Sequence, residues 1–295
     1  MMIAKKIDAK TIEVYDLTQF DPYAIMHSGQ VFRYFTQDDG FLVIAAEQWA
    51  QINVVGHQAI IKCSNADYFY RYFDLDTDYH QIKAQLAFPK LQKAIAVGGG
   101  IRILAADFTE MVVSFIISAN NNIKRFTKTL NDLCTQYGTR LPNGYYAFPT
   151  LEQLAKISVS EFKNLGCGYR DQYLVKAIKQ LQTFNVDELR ALPTPELYQK
   201  LLAIVGVGPK VASCILLFAF GRYEVAPVDT WIKKAISQLT LDEQSQILHG
   251  PYAGIAQQYI FYYLQHLHQE CLWCYNAVWL TIVLRQLGWL DPRLK

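Results

Sequence analysis

The sequence predicts an α+β fold, in which an antiparallel β-rich domain over residues 1–105 precedes a helical domain over residues 106–295. Short strand-like segments separated by tight turns fill the first 65 residues. From about residue 80 onward, apolar residues recur at helical spacing instead. A length of 295 residues accommodates two domains, and 52% hydrophobic with only 18% charged residues excludes a disordered chain.

Two β-hairpins are predicted in the N-terminal domain. The turn at Asp38-Asp-Gly40 separates the first pair of strands, and the turn at Gly56-His57 separates the second pair. The predicted strands cover residues 31–35, 40–45, 51–55 and 58–62. Together these segments predict an antiparallel meander.

Helical periodicity dominates the rest of the chain. A first helical segment over residues 82–95 ends at the glycines of positions 98–100. The further predicted helices lie near residues 109–118, 121–137, 171–184, 195–204, 209–220, 230–238, 252–269 and 272–287. No internal repeat or low-complexity linker interrupts them, so they form one helical body.

The formal net charge of +2 hides a gradient along the chain. Residues 1–85 carry a net charge of −4, whereas residues 86–180 carry +6. A basic middle third is compatible with one face that meets a polyanion, although a solvated helical surface gives the same count. The longest apolar runs are far shorter than the ~20 residues of a membrane span, and residues 1–8 lack an apolar signal core. We therefore expect a soluble intracellular protein, in the cytoplasm or the nucleoid or nucleus, with no membrane partner.

Six cysteines are scattered through the chain, which is not the pattern of a disulfide framework. Cys271 and Cys274 form a C-x-x-C pair, but there is no second pair to complete the four ligands of a zinc or iron–sulfur site. We therefore predict buried structural thiols and no metal site.

The segment over residues 194–220 is the most informative. Thr194 suits an N-cap and Pro195 a first helical position, and Gly206-Val-Gly208 then turns the chain into a second helix. This helix–hairpin–helix motif exposes backbone N–H groups at a helix N-terminus, where a phosphate can approach closely. The competing interpretation is a helix pair that is turned by glycines for packing alone.

Lys210 and Asp229 add chemistry to this motif. A lysine beside an anion-binding turn ordinarily binds phosphate, but in an apolar setting it can lose its proton and act as a nucleophile. Asp229 precedes a helix that begins near Thr230, so it fits an N-cap. Capping and catalysis are compatible roles for this carboxylate.

Residues 206–210 together with Pro227-Val-Asp229 resemble the hairpin, Gly/Pro-rich loop and Asp signature of the base-excision DNA glycosylases. Four further segments narrow the resemblance to the 8-oxoguanine DNA glycosylase/AP lyases of the eukaryotic type. These segments are residues 27–33, 118–125, 165–170 and 250–257. They occur in the family's order between about residues 25 and 261.

The resemblance implies that Lys210 attacks the sugar C1′, expels the damaged base and forms an imine, from which β-elimination cuts the strand. Asp229 would position groups and stabilise developing charge. No cofactor is implied, since the cluster-binding cysteines of related endonucleases are missing. Carbonyls near Leu202, Ile204 and Val207 would bind a monovalent cation by the same resemblance.

The resemblance also implies contacts with double-stranded DNA that contains 8-oxoguanine. Asn120 would fill the vacated space, Tyr169 would act as a wedge, and Arg125 and Arg170 would bond the orphaned cytosine. The backbone at Gly206 and Gly208 would bind phosphate. Taken singly, the arginines also fit plain phosphate contacts or solvated side chains, and Tyr169 fits a core aromatic.

Base recognition would rest on the Gly29 carbonyl, because the damaged base carries a hydrogen at N7 where guanine has an acceptor. Gln257 would read the Watson–Crick edge, while Phe261 and Cys214 would sandwich the base. Each residue also has an ordinary role, as a turn glycine, a surface glutamine or a core side chain. Trp231 departs from the family, whose animal members usually carry histidine there, and this puts one phosphate contact in doubt.

The sequence therefore predicts a bifunctional DNA glycosylase/AP lyase that acts as a monomer on 8-oxoguanine opposite cytosine. One alternative is a helix–hairpin–helix glycosylase for another damaged base. Lys210 argues against the monofunctional alkylation-repair members, which rely on the Asp alone. The other alternative is a non-catalytic DNA-binding module, which the pairing of Lys210 with Asp229 disfavours.

Overall fold

The computed structural model describes residues 3–86, 88–237 and 239–270. Its strands are β1 (Ala4–Asp8), β2 (Thr11–Val14), β3 (Tyr34–Gln37), β4 (Gly40–Ala45), β5 (Gln48–Val55) and β6 (Gln58–Cys63). They form one antiparallel sheet in the order β1-β2-β6-β5-β4-β3. The predicted meander is therefore present as β3 to β6, and the hairpin of β1 and β2 extends it beside β6.

Both predicted hairpins are confirmed. β3 pairs with β4 and β5 pairs with β6 in antiparallel register. Gly40 opens β4 at φ +156°, and a Cβ at this position would lie 1.9 Å from the Ile52 carbonyl oxygen of the neighbouring strand. A glycine is therefore required there by close backbone approach.

Two details of the predicted sheet were wrong. The strand expected at residues 31–35 begins only at Tyr34 and runs to Gln37. Ahead of it, the Gln30 side chain bonds the Arg102 carbonyl and the Leu104 N–H, which ties this part of the chain to residues 102–104. The β1–β2 hairpin was not among the predicted strands. β1 buries only Ala4, so it lacks the alternating apolar pattern on which strand prediction depends.

The helices surround and follow this sheet. Those before the hairpin motif are α1 (Pro22–Met26), α2 (Ala66–Tyr72), α3 (Tyr79–Gln85), α4 (Pro89–Gly98), α5 (Phe108–Ser118), α6 (Ile123–Tyr137), α7 (Leu151–Leu154), α8 (Val159–Asn164), α9 (Asp171–Leu181) and α10 (Val186–Ala191). The others are α11 (Thr194–Leu202), α12 (Pro209–Phe220), α13 (Thr230–Ile236), α14 (Leu241–His249) and α15 (Ala253–Glu270). The helices predicted near 109–118, 121–137, 171–184, 195–204, 209–220, 230–238 and 252–269 are confirmed, and the one at 272–287 lies outside the described residues.

Buried side chains form two apolar clusters. One lies between the sheet and α2, and it includes Ile12, Ile61 and Phe69. The larger cluster fills the helical body, and α3 and α4 contribute Ile82 and Leu91 to it. The domain boundary at residue 105 stays a prediction, while the packing joins α3 and α4 to the helices that carry the hairpin.

A buried polar network joins the two regions. The Asp74 carboxylate accepts hydrogen bonds from the hydroxyls of Thr77 (2.6 Å), Tyr79 (2.8 Å) and Tyr223 (2.6 Å), and Tyr223 follows α12. The fully buried Arg102 guanidinium donates to the carbonyls of Asp74 and Gln19, among others. Burial raises the pKa of the Asp74 carboxyl, and the hydrogen bonds from Thr77 and Tyr223 oppose the rise. These groups satisfy one another's hydrogen-bonding needs, which makes the network a rigid joint.

Four of the six cysteines lie in the described residues, and all four are buried and free. They are Cys63, Cys134, Cys167 and Cys214. Buried thiols are therefore confirmed at these positions. Cys271 and Cys274 lie outside the described residues.

A buried carboxyl predicts how stability depends on pH. Glu110 of α5 is buried, and its Oε2 accepts a hydrogen bond of 2.9 Å from the Ala46 N–H. Burial raises the pKa of the Glu110 carboxyl to about 7, although the Arg33 charge and this hydrogen bond oppose the rise. The usual value is 4.5, so the folded protein holds this proton at pH values where the unfolded chain has released it.

Raising the pH from 5 to 8 is therefore expected to lower the free energy of unfolding through Glu110, by roughly 3 kcal/mol at most. Glu110→Gln keeps an acceptor for Ala46 but cannot ionise, so its stability should change less over this range. Guanidinium unfolding curves at both pH values measure the difference. Glu152→Gln, at an exposed glutamate of α7, should keep the wild-type pH dependence. If the free energy of unfolding changes equally for wild type and Glu110→Gln between pH 5 and pH 8, the assignment of this pH dependence to Glu110 is wrong.

Candidate active site

The helix–hairpin–helix motif consists of α11, α12 and the turn between them. Gly206 adopts φ +88°, and a Cβ there would crowd Tyr173 and Ile116 at 3.3–3.4 Å. Gly208 is the N-cap of α12 and has no side chain to cover the end of the helix. A Cβ at this position would meet no atom within 4 Å among the described residues. The exposed N-terminus of α12 therefore has the open backbone that an anion such as phosphate needs.

Lys210, the second residue of α12, lies at a cavity of about 40 Å³. All six residues predicted for catalysis and base recognition line this cavity: Gly29, Lys210, Cys214, Asp229, Gln257 and Phe261. They come from four separate segments of the chain. The cavity has room for water but not for a purine, so a base can enter only when a lining side chain moves.

The Lys210 side chain is exposed, and its Nζ lies 4.9 Å from the centroid of the Phe115 ring. Burial raises the pKa of the Cys214 thiol one turn further along α12, while the Lys210 charge opposes the rise. The thiol thus stays protonated at neutral pH. Among the described residues, Lys210 forms no ion pair with Asp229, although both line the same cavity.

Asp229 caps α13 as the sequence predicts. Its Oδ1 accepts a hydrogen bond of 2.8 Å from the Ile232 N–H. The carboxylate is half-buried and lies at the positive end of the helix. The prediction of an N-cap is confirmed, and the carboxylate lies at the cavity wall, where it can stabilise positive charge. Trp231 lies in the first turn of α13, but its side chain is not among those described.

Gly29 sits in a turn with φ +77°, between two fully buried polar residues. The Ser28 hydroxyl donates to the Ile25 carbonyl (2.7 Å), and the Gln30 amide donates to Ser28 Oγ (2.9 Å). A Cβ on Gly29 would lie 3.0 Å from Cε1 of Phe261. The turn is therefore fixed from both sides, and only glycine lets the Phe261 ring lie directly against it.

The residues predicted to contact the opposite strand form a second group. Asn120 and Tyr169 are exposed, and Asn120 adopts φ +49°, which a non-glycine residue rarely does. Arg125 is also exposed, and its Nη2 donates to the Gly166 carbonyl at 3.1 Å. Arg170 differs, because its side chain is buried and stacks on Tyr169 with 4.4 Å between Cζ and the ring centroid.

Arg170 holds the Asn120 loop. Its Nε donates to the Ala119 carbonyl at 2.8 Å, its Nη2 donates to the Ala119 and Asn120 carbonyls, and its Nη1 donates to the Cys167 carbonyl at 3.2 Å. A guanidinium has five N–H donors, so these four bonds leave one N–H on Nη1 for another acceptor. Sequence patterns do not reveal this role, because the Ala119 and Asn120 carbonyls lie about 50 residues away.

The cavity is also lined by five residues that were not predicted as site residues: Ser28, Phe115, Phe218, Pro227 and Gln258. Phe115 and Phe218 stack with their ring centroids 6.3 Å apart. Ser28 and Pro227 lie inside segments that carry the family resemblance, so proximity to these motifs was a usable signal. For Gln258 the signal was its place beside Gln257.

The metal expectations concern two regions. Within the part of the chain that the structure describes, no group of three or more His, Cys, Asp or Glu residues could hold a metal ion. The C-x-x-C pair lies outside that part. In the hairpin, the Ile204 carbonyl accepts a hydrogen bond of 3.0 Å from the Val207 N–H, and cation binding by the carbonyls of this turn stays a prediction.

Comparison with known proteins agrees with this geometry. The profile described as HhH-GPD superfamily base excision DNA repair protein matches residues 113–247, and that of the 8-oxoguanine DNA glycosylase N-terminal domain matches residues 14–112. Fold and hairpin thus place the chain in the class of helix–hairpin–helix base-excision repair proteins. Within that class, the chain belongs to the 8-oxoguanine DNA glycosylase/AP lyase family.

Two curated relatives are similar over part of their length. An N-glycosylase/DNA lyase of Saccharomyces cerevisiae is 30% identical over 225 residues, which are 67% of this chain and 58% of the yeast protein. N-glycosylase/DNA lyase OGG1 of Arabidopsis thaliana is 32% identical over 188 residues, which are 55% of this chain and 51% of the plant protein. The chain thus spans little more than half the length of these relatives.

A solved structure is similar over nearly the whole fold. The 8-oxoguanine glycosylase/lyase of Clostridium acetobutylicum, in complex with dsDNA containing cytosine opposite to 8-oxoG, superposes with a TM-score of 0.82 at 33% identity. The match covers 90% of this chain and 100% of that one. The structure of MBOgg1 in complex with a low affinity DNA ligand gives a TM-score of 0.83 at 34% identity, and the match covers 90% of this chain and 98% of that one.

Across the described ranges, no helix combines the length and hydropathy of a membrane span.

Proposed function

We propose that this chain is a bifunctional 8-oxoguanine DNA glycosylase/AP lyase that acts as a monomer on double-stranded DNA. The observation that carries the proposal is that the nucleophile candidate Lys210 shares one cavity with Asp229 and with the base-reading candidates Gly29 and Gln257. Its yeast and plant relatives are N-glycosylases/DNA lyases and its clostridial relative is an 8-oxoguanine glycosylase/lyase, which supports the same activity.

The proposed reaction begins with extrusion of the damaged base from the duplex. The neutral Lys210 amine attacks the sugar C1′, and the C1′–N9 bond breaks with its electron pair leaving on the base. The Asp229 carboxylate stabilises the positive charge that develops on the sugar. The sugar ring then opens to an imine on Nζ, and loss of a C2′ proton expels the 3′ phosphate and cuts the strand.

The pocket supplies discrimination in this proposal. The Gly29 carbonyl accepts the N7 hydrogen of 8-oxoguanine and repels the N7 lone pair of guanine. Phe261, which lies against Gly29, must swing aside to admit the base and then covers one of its faces, while the neutral Cys214 thiol covers the other. Gly206 and Gly208 leave the backbone N–H groups of the hairpin open to a DNA phosphate.

Borohydride trapping tests the proposal. The protein is incubated with duplexes that carry 8-oxoguanine opposite cytosine, and with matched duplexes that carry uracil, 3-methyladenine or no lesion. A covalent adduct on the 8-oxoguanine duplex alone is expected. An adduct on another lesion instead would assign the chain to another glycosylase specificity, and binding without any adduct would make it a DNA-binding module.

The opposite-strand residues predict a preference for cytosine. Cytosine offers N3 and O2 acceptors once its partner has left, which guanidinium donors can satisfy, whereas adenine presents an N6 donor at this edge. Within the described residues, the Arg125 guanidinium donates only to Gly166, and the Arg170 guanidinium has one N–H left. We propose that both arginines contact the cytosine and that Arg170 does so while holding the Asn120 loop.

Arg125→Ala is therefore expected to narrow the cytosine-over-adenine ratio of single-turnover rates by about 10-fold, within the 1–3 kcal/mol of one base contact. Arg170→Ala should lower both rates, because it also releases the Asn120 loop. Lys124→Ala removes an exposed charge from the adjacent position of α6 and serves as the control. It should weaken binding to both duplexes equally. An unchanged ratio in Arg125→Ala would leave Arg125 a phosphate contact only.

A further inference from the structure

Two consecutive glutamines of α15 face the same cavity. Gln257 and Gln258 are 3% and 4% exposed, and both line the cavity with Gly29 and Lys210. The Gln258 Nε2 donates a hydrogen bond of 3.0 Å to the Gln257 Oε1. The Gln258 Oε1 is buried and accepts no hydrogen bond from the residues that the structure describes. Gln258 therefore carries an unused acceptor, and the residue lines the cavity beside Gln257, which is expected to read the base.

A buried amide oxygen without a donor is unfavourable, and native proteins leave few such atoms without a functional reason. The Gln258 amide also constrains its neighbour. An amide can exchange its oxygen and nitrogen by rotating about χ3, so its recognition pattern is ambiguous until a partner fixes it. In the structure the Gln257 oxygen lies toward Gln258. A base that donates to the Gln258 oxygen would fix both amides in this orientation and thereby define which groups Gln257 presents.

The pairing edge of 8-oxoguanine explains why a second acceptor is useful. This edge carries two neighbouring donors, N1–H and the 2-amino group, and one acceptor, O6. Gln257 alone has a single oxygen, which already receives the Gln258 N–H. A base with two adjacent donors is best matched by two acceptors, and Gln258 supplies the second one at the same wall of the cavity.

We propose that Gln258 is a further specificity-determining residue, which orients the Gln257 amide and accepts a hydrogen bond from the 2-amino group of the extruded base. The inference rests on the proposed function, since it concerns how the same pocket reads its substrate. It assigns the pocket to purines that carry an 8-oxo group together with a 2-amino group. Two other lesions, 8-oxoadenine and 8-oxohypoxanthine, carry the 8-oxo group but lack the 2-amino group.

The test compares 8-oxoguanine with 8-oxohypoxanthine, which differs only by loss of the 2-amino group. Single-turnover base release is measured opposite cytosine for wild type and for Gln258→Met, an unbranched apolar side chain of similar volume. Wild type is expected to favour 8-oxoguanine by about 10-fold, as one charge-neutral hydrogen bond and its unpaired partner allow. In Gln258→Met this ratio should be about 10-fold lower than in wild type. The weaker pairing of 8-oxohypoxanthine with cytosine affects both proteins alike and cancels in the double ratio.

The possible outcomes are distinct. Equal slowing of both substrates in Gln258→Met would give Gln258 a purely structural role, or a role in binding a cavity water, and would overturn the proposal. A wild-type ratio near 1 would overturn it as well. If Gln258→Met does not fold, Gln258→Ala is measured in the same way. Failure of the proposed function itself is recognised separately, because wild type would then release neither base.

Discussion

Replacing Lys210 with glutamine is expected to abolish base release and the borohydride-trapped adduct, a loss of at least about 1,000-fold in single-turnover rate. An amide nitrogen is not nucleophilic, so the covalent route through C1′ is closed, and removal of a nucleophile typically costs this much or more. Binding to the lesion duplex should persist. The side chain is exposed and makes no ion pair in the described structure, so its loss leaves the fold intact.

Lys200→Gln is the matched control for this experiment. Lys200 is an exposed lysine on α11 of the same hairpin and does not line the cavity. The two variants make the same lysine-to-glutamine change in the same motif. Lys200→Gln should keep the adduct, with at most weaker binding. A normal yield of adduct in Lys210→Gln would remove Lys210 from the reaction.

Replacing Asp229 with asparagine is expected to lower activity by roughly 100-fold or more, as typical losses of a preorganised electrostatic group suggest. The substituted amide keeps an oxygen for the Ile232 N–H, so α13 should stay capped and the thermal midpoint should change little. The experiment measures single-turnover rates together with thermal unfolding. A stable and fully active variant would leave Asp229 only its capping role.

Asp78→Asn is the matched control for Asp229. Asp78 is the N-cap of α3, where its carboxylate accepts from the His80 and Gln81 N–H groups, and it lies away from the cavity. The same substitution there removes the same charge from the same kind of helix terminus. Activity should be unchanged, so a loss confined to Asp229→Asn reports the chemistry and not the cap.

The hairpin and its lysine could be predicted from the sequence because their signals are local. Glycines form the turn, and Pro209 and Lys210 follow within a few residues. The predicted start of α11 was wrong by one residue, because Pro193 is the N-cap and the Thr194 hydroxyl donates to Glu224 Oε1 instead of capping the helix. Asp229 carried a cap signal that needs only the next three residues. The family resemblance then connected these segments with Gly29 and with α15, which local pattern alone could not do.

Other features depend on which face of a helix meets which neighbour. Periodicity places Phe115 and Phe218 on apolar faces, but it does not reveal that these faces meet at the cavity. The burial of Arg170 depends on carbonyls that a distant loop presents, with Asn120 at φ +49°. Gln258 resembles a surface residue by type, and only the orientation of α15 makes it part of the wall.

The hydrogen-bonded network around Asp74 has a consequence for how undamaged DNA is protected. The Gly29 carbonyl, which we propose recognises the damage, belongs to the N-terminal region, whereas the Lys210 amine, which we propose attacks the sugar, belongs to the helical body. The Tyr223 hydroxyl donates to Asp74 and so connects the two regions. An enzyme that severed bases without sensing damage would be a mutagen. Because the proposed recognition and cleavage groups come from regions that share this network, loss of the network is expected to impair both functions together and not to leave cleavage without recognition.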